Sequence, residues 1–129
     1  MATPQWTVSI LTIPGREAHL QRLLESLRGG AAARPVVHVV YNREIRDELA
    51  ETERRITTWG AGRRIEVYFN NGDATIAGGR NFQLNLVKTP LVCFIDDDVT
   101  VDTPLIDALD EGLRTSPVSQ IGLRSLRGA

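Results

Sequence analysis

Five apolar residues, Leu91-Val92-Cys93-Phe94-Ile95, run without a polar break into three consecutive carboxylates, Asp96-Asp97-Asp98. An apolar run of this length with no alternation is what a strand buried on both faces looks like, as in a parallel sheet. Open parallel sheets bind their ligands just beyond the carboxyl ends of their strands. The acids therefore collect negative charge where such a fold does its chemistry. Side chains alternate across a strand, so Asp96 and Asp98 are expected to share one direction and Asp97 the other. Asp96 and Asp98 then converge on one cation. Oxygen ligands with no histidine or cysteine beside them favour Mg²⁺ or Mn²⁺ over zinc. Mg²⁺ usually takes one or two carboxylates and completes its shell with water and substrate phosphates. The pattern thus points to a metal site for a phosphorylated substrate; the plainer alternative is a solvated loop whose acids cap the next turn.

Elsewhere the chain alternates between strand and helix patterns. Thr7 to Ile13 reads as a strand, and Pro14-Gly15-Arg16 as a turn. Leu20, Leu23, Leu24 and Leu27 then fall on one helical face, and Gly29-Gly30 stops that helix. Val36 to Tyr41 reads as a second strand, and residues 43–59 as a charged helix with Ile45, Leu49, Ile56 and Trp59 on one stripe. A third strand, Ile65 to Phe69, runs into the turn-forming Asn70-Asn71-Gly72-Asp73. A helix over about Thr75 to Lys88 leads to Pro90 and the carboxylate strand. Thr103-Pro104 starts a last helix, lined by Leu105, Ile106, Leu109 and Leu113, and Ser119 to Leu123 reads as a short fifth strand. Such alternation predicts an α/β fold, a three-layer sandwich with a mostly parallel central sheet. If the first three strands wind one way and the fourth returns beside the first, the order is 3-2-1-4. The crevice then opens between strands one and four, with Thr12 to Arg16 opposite Asp96 to Asp98. No glycine triad follows the first strand, which argues against a dinucleotide cofactor.

The 129 residues allow one domain with a real core, spanning residues 1–129, but not two. Fifteen basic and sixteen acidic residues are interspersed, giving a net charge of −1 and no basic block of the kind that binds nucleic acid. The first residues lack a basic stretch followed by an apolar core, and no apolar run reaches membrane-spanning length. The lone Cys93 reads as an inert buried thiol, and a reducing, cytoplasmic setting is expected.

A second informative segment runs from Asn71-Gly72-Asp73 to Gly78-Gly79-Arg80-Asn81. Gly78-Gly79 lets a backbone come close to a ligand, and Arg80 can pair with phosphate oxygens. A cation near a helix N-terminus opposes the helix dipole unless an anion is present, so Arg80 hints at one. The alternative is a solvated arginine above a glycine that packs on the sheet.

Together these segments resemble the nucleotide-diphospho-sugar transferases of the GT-A fold, particularly glycosyltransferase family 2. Val8-Ser9-Ile10-Leu11-Thr12-Ile13-Pro14-Gly15-Arg16, followed by Leu20, Leu23-Leu24 and Ser26-Leu27, looks like that family's first strand and helix. Asn71-Gly72, Gly79-Arg80-Asn81 and the strand into Asp96-Asp97-Asp98 are similar, in order and spacing, to its Asn-x-Gly, Ala-Arg-Asn and Asp-x-Asp series. The resemblance implies a glycosyltransferase that moves a sugar from a nucleotide-diphospho-sugar donor to an acceptor hydroxyl, with Mn²⁺ or Mg²⁺. It implies donor-binding roles for Thr12, Ile13, Pro14, Arg16, Asn42, Arg80, Asp96 and Asp97. Ile13, Pro14 and Arg16 would border the base, Arg80 the base or diphosphate, and Asp96 the ribose. Asp98 would hold the metal, with Asp96 as the second ligand.

The pattern departs from the family's in two places. Only Gly15 separates Pro14 from Arg16, where the family often has a longer turn with Tyr-Asn. Tyr41-Asn42-Arg43-Glu44 stands where an acidic pair with a serine is usual, which puts the common uracil preference in doubt and leaves Asn42 to meet a base edge. The family's acceptor half, with its catalytic carboxylate, would lie beyond Ala129. The chain therefore reads as a truncated, donor-binding half, with a sheet edge or face open to self-association or a partner. Two other readings remain: a non-catalytic nucleotide-sugar-binding module, and a phosphatase of the haloacid-dehalogenase type. Phe94-Ile95-Asp96-Asp97-Asp98-Val99-Thr100 resembles the latter's nucleophile motif, though that family puts it on the first strand and needs a downstream lysine. His38, His19, Trp6 and Trp59 read as core or surface residues, and Asp102, Asp107 and Asp110 as the polar face and cap of the last helix.

Overall fold

Strands and helices alternate through the computed structural model of the chain, which describes residues 6–27, 35–42, 49–60, 63–101 and 105–115. In chain order they are β1 Trp6–Thr12, α1 Glu17–Ser26, β2 Val36–Tyr41, α2 Leu49–Gly60, β3 Ile65–Phe69, α3 Ile76–Leu86, β4 Leu91–Asp96 and α4 Leu105–Thr115. All neighbouring strands pair in parallel, in the order β3-β2-β1-β4 expected if three strands wind one way and the fourth returns beside the first. The residues 43–48 expected to open the second helix, the Thr103-Pro104 helix start and the fifth strand at 119–123 lie outside the described residues.

That strand order dictates the layers. Parallel crossovers are right-handed, so two steps in one direction, β1 to β2 to β3, put α1 and α2 on the same face. The return from β3 to β4 reverses direction and carries α3 to the other face. On the first face Val8, Ile10, Val37, Val39 and Tyr41 meet Leu20, Leu23 and Leu24 of α1, Ile56 of α2 and Leu105, Ile106 and Leu109 of α4. Ile10, Leu20, Leu23, Val39 and Ile56 are wholly buried, each contributing about 1.5–3 kcal/mol by removal from water. Trp6 joins this core and donates its indole N–H to Asp110 Oδ1 at 2.7 Å, so both residues serve packing.

The opposite face carries a polar row among apolar residues such as Val36 and Val40. Thr7 and Ser9 of β1 alternate with core residues, and Ser9, His38 and Glu66 stand in register across three strands. Helix α3 and the loop after it cover part of this face: Gln83 reaches Ser9, and Thr89 pairs with Thr7 at 2.7 Å.

The burial expected of the carboxylate strand is not fully realised. Among the described residues β4 is an edge strand paired with β1 alone, and it is half-buried, with Phe94 keeping 37 % of its surface exposed. Leu91, Cys93 and Ile95 pack on the core, whereas Val92 and Phe94 alternate onto the polar face, where α3 lies over β1. An unbroken apolar run cannot distinguish a central strand from an edge strand with one well-covered face. Burial pushes the Cys93 thiol up to about 11, so it stays protonated and inert. No helix among the described residues is long and apolar enough to cross a membrane.

His38 gives the fold a pH dependence. Burial lowers its pKa, outweighing the raising effect of Glu66, whose Oε1 lies 3.4 Å from Nε2. The folded protein resists a proton that the unfolded chain accepts near the ordinary value of about 6.5. Stability is therefore expected to fall as pH drops through that value towards the lowered folded pKa. Urea melts between pH 8 and 5 should show the slope in the native chain and lose it in His38→Gln; an unchanged slope in the variant would remove His38 as its source.

Candidate functional site

The carboxyl ends of β1 and β4 are tied together by a buried clamp. After Thr12 the chain reverses at Pro14-Gly15, where Gly15 adopts φ +96°, a conformation other residues rarely take. Proline followed by such a glycine suits a type II turn. The turn delivers Arg16 to the start of α1, where Nε and Nη2 donate to Asp97 Oδ2 at 2.7 Å and Oδ1 at 2.9 Å. Thr12 Oγ1 donates to the same Oδ2 at 2.8 Å. Burial alone would raise the Asp97 pKa, but the hydrogen bonds from Arg16 and Thr12 and the Arg16 charge win and hold it below the usual carboxylate range. The same pairing raises Arg16. Thr12, Arg16 and Asp97, all expected at the donor, thus spend their polar groups on one another and fix the β1–α1 turn against the end of β4.

This leaves Asp96 and Asp98. The backbone turns directly after Asp96, whose carbonyl accepts from Val99 N at 3.3 Å, so strand alternation stops there. Asp97 points inward while Asp96 and Asp98 are both exposed. Asp98 keeps 48 % of its side chain exposed and, among the described residues, has a single long contact, 3.9 Å, to Arg16 Nη2. Asp96 has no partner among the described residues. Since Asp97 takes both short bonds from Arg16, Asp96 and Asp98 have no close cationic partner among the described residues. Among the described residues no three histidine, cysteine or carboxylate side chains converge. A hard cation held by one or two carboxylates and completed by phosphate oxygens fits this donor set. Ile13 is half-buried and Pro14 exposed on the same turn.

Asn42 follows β2 and is tied to the end of β1, its backbone N–H donating to Thr12 O at 2.8 Å, but its side chain faces another loop. Its amide donates to the carbonyls of Ala74 and Thr75 at 3.0 and 3.2 Å and its oxygen accepts from Asn70 Nδ2 at 2.8 Å. Asn70 also donates to Asp73 O, and Asp73 accepts from Thr75 N. The buried Asn42 side chain is therefore occupied in holding the β3–α3 loop. The glycine pair serves this network: a Cβ on Gly79 would lie 2.7 Å from the Asn42 amide, and one on Gly78 would strike the side chain and carbonyl of Asp73. These glycines make room for protein atoms rather than a ligand. Thr75 caps the helix, accepting from Gly78 N at 3.0 Å.

Gly→Ala inside a helix ordinarily stabilises by about 0.5–1 kcal/mol. At Gly78 the sign is expected to invert, with a loss of about 1–3 kcal/mol from overpacking against Asp73. Denaturant melts of Gly78→Ala measure this, and a gain in stability would show that the loop yields.

Arg80 extends from α3 towards β4, its guanidinium centred 4.7 Å from the Phe94 ring centroid and Nη1 donating to Gln83 Oε1 at 3.1 Å. Phe94 and Asp96 alternate onto the same sheet face, which sets Arg80 on the side of the β4 terminus that Asp96 occupies. The structure thus gathers Thr12, Arg16 and Asp97 in the clamp, leaves Asp96 and Asp98 exposed at the end of β4, and sets Arg80 over Phe94 beside that terminus. Gln83 and Ser9, both wholly buried, were not among the expected site residues. Their only sequence signal is a polar residue on the inner side of each element.

Solved structures share this architecture. The residue 1–349 fragment of S. aureus TarS matches with a TM-score of 0.65 at 18 % identity, over 94 % of this chain and 38 % of that one. The same fragment in complex with UDP matches at 0.64 and 18 %, with the same coverage. A longer S. aureus TarS structure matches at 0.60 and 21 %, over 93 % of this chain and 23 % of that one. TarS is a GT-A-type glycosyltransferase, and the fold of this chain is of GT-A type. The chain spans well under half the length of these structures. No known family's sequence profile matches it, and no curated protein does.

Proposed function

We propose that this chain binds a nucleoside-diphosphate sugar at the carboxyl ends of β1 and β4 and serves glycosyl transfer. The observation that carries the reading is the pair of exposed carboxylates, Asp96 and Asp98, without a close cationic partner among the described residues, at the point where the strand order reverses. The GT-A fold supports it, as does the UDP found in one S. aureus TarS structure. Asp98, with Asp96, would hold Mn²⁺ or Mg²⁺. When bound, such an ion supplies Lewis-acid stabilisation of the departing diphosphate. Arg80 would donate to diphosphate oxygens, and Ile13 and Pro14 would border the base. The clamp of Thr12, Arg16 and Asp97 would keep that border at a fixed distance from Asp98. Transfer itself requires a base within hydrogen-bonding reach of the acceptor hydroxyl, and none of the residues named here is assigned that part.

Titration calorimetry with UDP, GDP and TDP, each with and without Mn²⁺, tests the reading. At least one nucleotide is expected to bind, and to bind more tightly with Mn²⁺. Arg80→Ala should weaken that binding by about 1.5–3 kcal/mol if its hydrogen bonds go to charged phosphate. Failure of all three nucleotides, with and without the ion, would overturn the proposal.

A further inference from the structure

We propose that Gln83 is a positioning residue that presents Arg80 to the diphosphate, anchored through Ser9 to the centre of the sheet. The inference rests on the reading of Arg80 as a diphosphate contact. Gln83 has no exposed surface, which is rare for a glutamine and demands partners for both ends of its amide. Both are present: Nε2 donates to Ser9 Oγ at 2.9 Å and Oε1 accepts from Arg80 Nη1 at 3.1 Å. A guanidinium can only donate, so Oε1 must face Arg80 and Nε2 must face Ser9. Chemistry alone therefore fixes the orientation of the amide. Ser9 lies on the central strand β1, itself wholly buried, and offers an anchor that does not move.

Arg80 and Gln83 are three residues apart on α3, the spacing that puts side chains side by side. Gln83 fixes the edge of the guanidinium, and the Phe94 ring at 4.7 Å fixes its plane. One of five N–H donors is used by Gln83, which leaves others for phosphate. A long side chain held in place before the ligand arrives loses less freedom on binding, so affinity rises without any new contact to the ligand.

The test compares a nucleoside diphosphate with its nucleoside, UDP with uridine or the corresponding pair for whichever nucleotide binds best. Gln83→Met keeps the length and removes the amide, and Ser9→Ala removes only the anchor. Each is expected to weaken the diphosphate about 3–10-fold and leave the nucleoside unchanged. In an Arg80→Ala background Gln83→Met should cost nothing further, a coupling that a merely structural role would not produce. If Gln83→Met does not fold, Ser9→Ala and its own Arg80→Ala double variant carry the same comparison. Equal losses for diphosphate and nucleoside, or additive losses in the double variant, would overturn the inference. So would unchanged binding in Gln83→Met and Ser9→Ala when Arg80→Ala weakens it. If Arg80→Ala itself changes nothing, the diphosphate role of Arg80 falls and this inference falls with it.

Discussion

Asp98→Ala is expected to abolish the gain that Mn²⁺ brings to nucleoside-diphosphate binding, a loss of about 100-fold at saturating ion, or about 2.7 kcal/mol. The size follows from how few oxygen donors the β4 terminus can offer. Asp97 is saturated by Arg16 and Thr12 and cannot turn to a cation without breaking three hydrogen bonds. Asp96 alone would then be left to hold the ion, with half the negative charge of the pair to draw it from water. Without Mn²⁺ the variant should bind the nucleotide as well as the native chain or slightly better, because a carboxylate that repels the diphosphate has gone. Calorimetry across an Mn²⁺ series separates the two regimes. An Asp98→Ala variant that responds to Mn²⁺ as the native chain does would dismiss Asp98 as a ligand.

The parts of this arrangement that the sequence reveals are those set by periodicity and order. Alternating apolar patterns placed all of the described strands and helices, and the order β3-β2-β1-β4 is the one expected if three strands wind one way and the fourth returns beside the first. Pro14-Gly15 marked a turn because its backbone conformation is chemically encoded, and Gly15 adopts the positive φ such a turn needs. What the sequence hid is pairing. Alternation sets Asp97 apart from Asp96 and Asp98, and it is indeed the buried one, but nothing in the letters shows that Arg16 and Thr12 clamp it. Gly78-Gly79 carried the same ambiguity: glycine reports that something comes close, and here that something is Asp73 and Asn42. The polar face was legible only in part. Thr7 and Ser9 interrupt β1, His38 interrupts β2 and Glu66 interrupts β3, but only the register shows that Ser9, His38 and Glu66 form one row. Gln83 needed that row to be noticed, since a lone glutamine on a helix ordinarily faces solvent.

Asp97→Ala is expected to destabilise the fold by about 2–4 kcal/mol, because it removes a buried carboxylate that accepts from two side chains and leaves both donors without it. The lower end of that range reflects Arg16, whose side chain is 37 % exposed and can turn to water. Among the described residues Thr12 Oγ1 is left with the carbonyl of Ile13, 3.5 Å away, a poor substitute for the carboxylate at 2.8 Å. Asp97→Asn keeps the shape and an acceptor for Thr12, and should cost less than alanine. The pH dependence separates charge from shape. Arg16 and Thr12 hold the folded pKa of Asp97 below its ordinary value, so the stability that its charge contributes is present above about 3.9 and is lost as pH falls through the lowered folded value. The gap between the native chain and Asp97→Asn should therefore be widest near neutrality and close in acid. Chemical denaturation of the native chain and both variants from pH 7 to 3 measures it. A gap that is constant with pH would mean the clamp acts through packing and neutral hydrogen bonds. An Asp97→Ala variant as stable as the native chain would mean that the β1–α1 turn holds its place without β4, and Arg16 would then be free to serve the ligand instead.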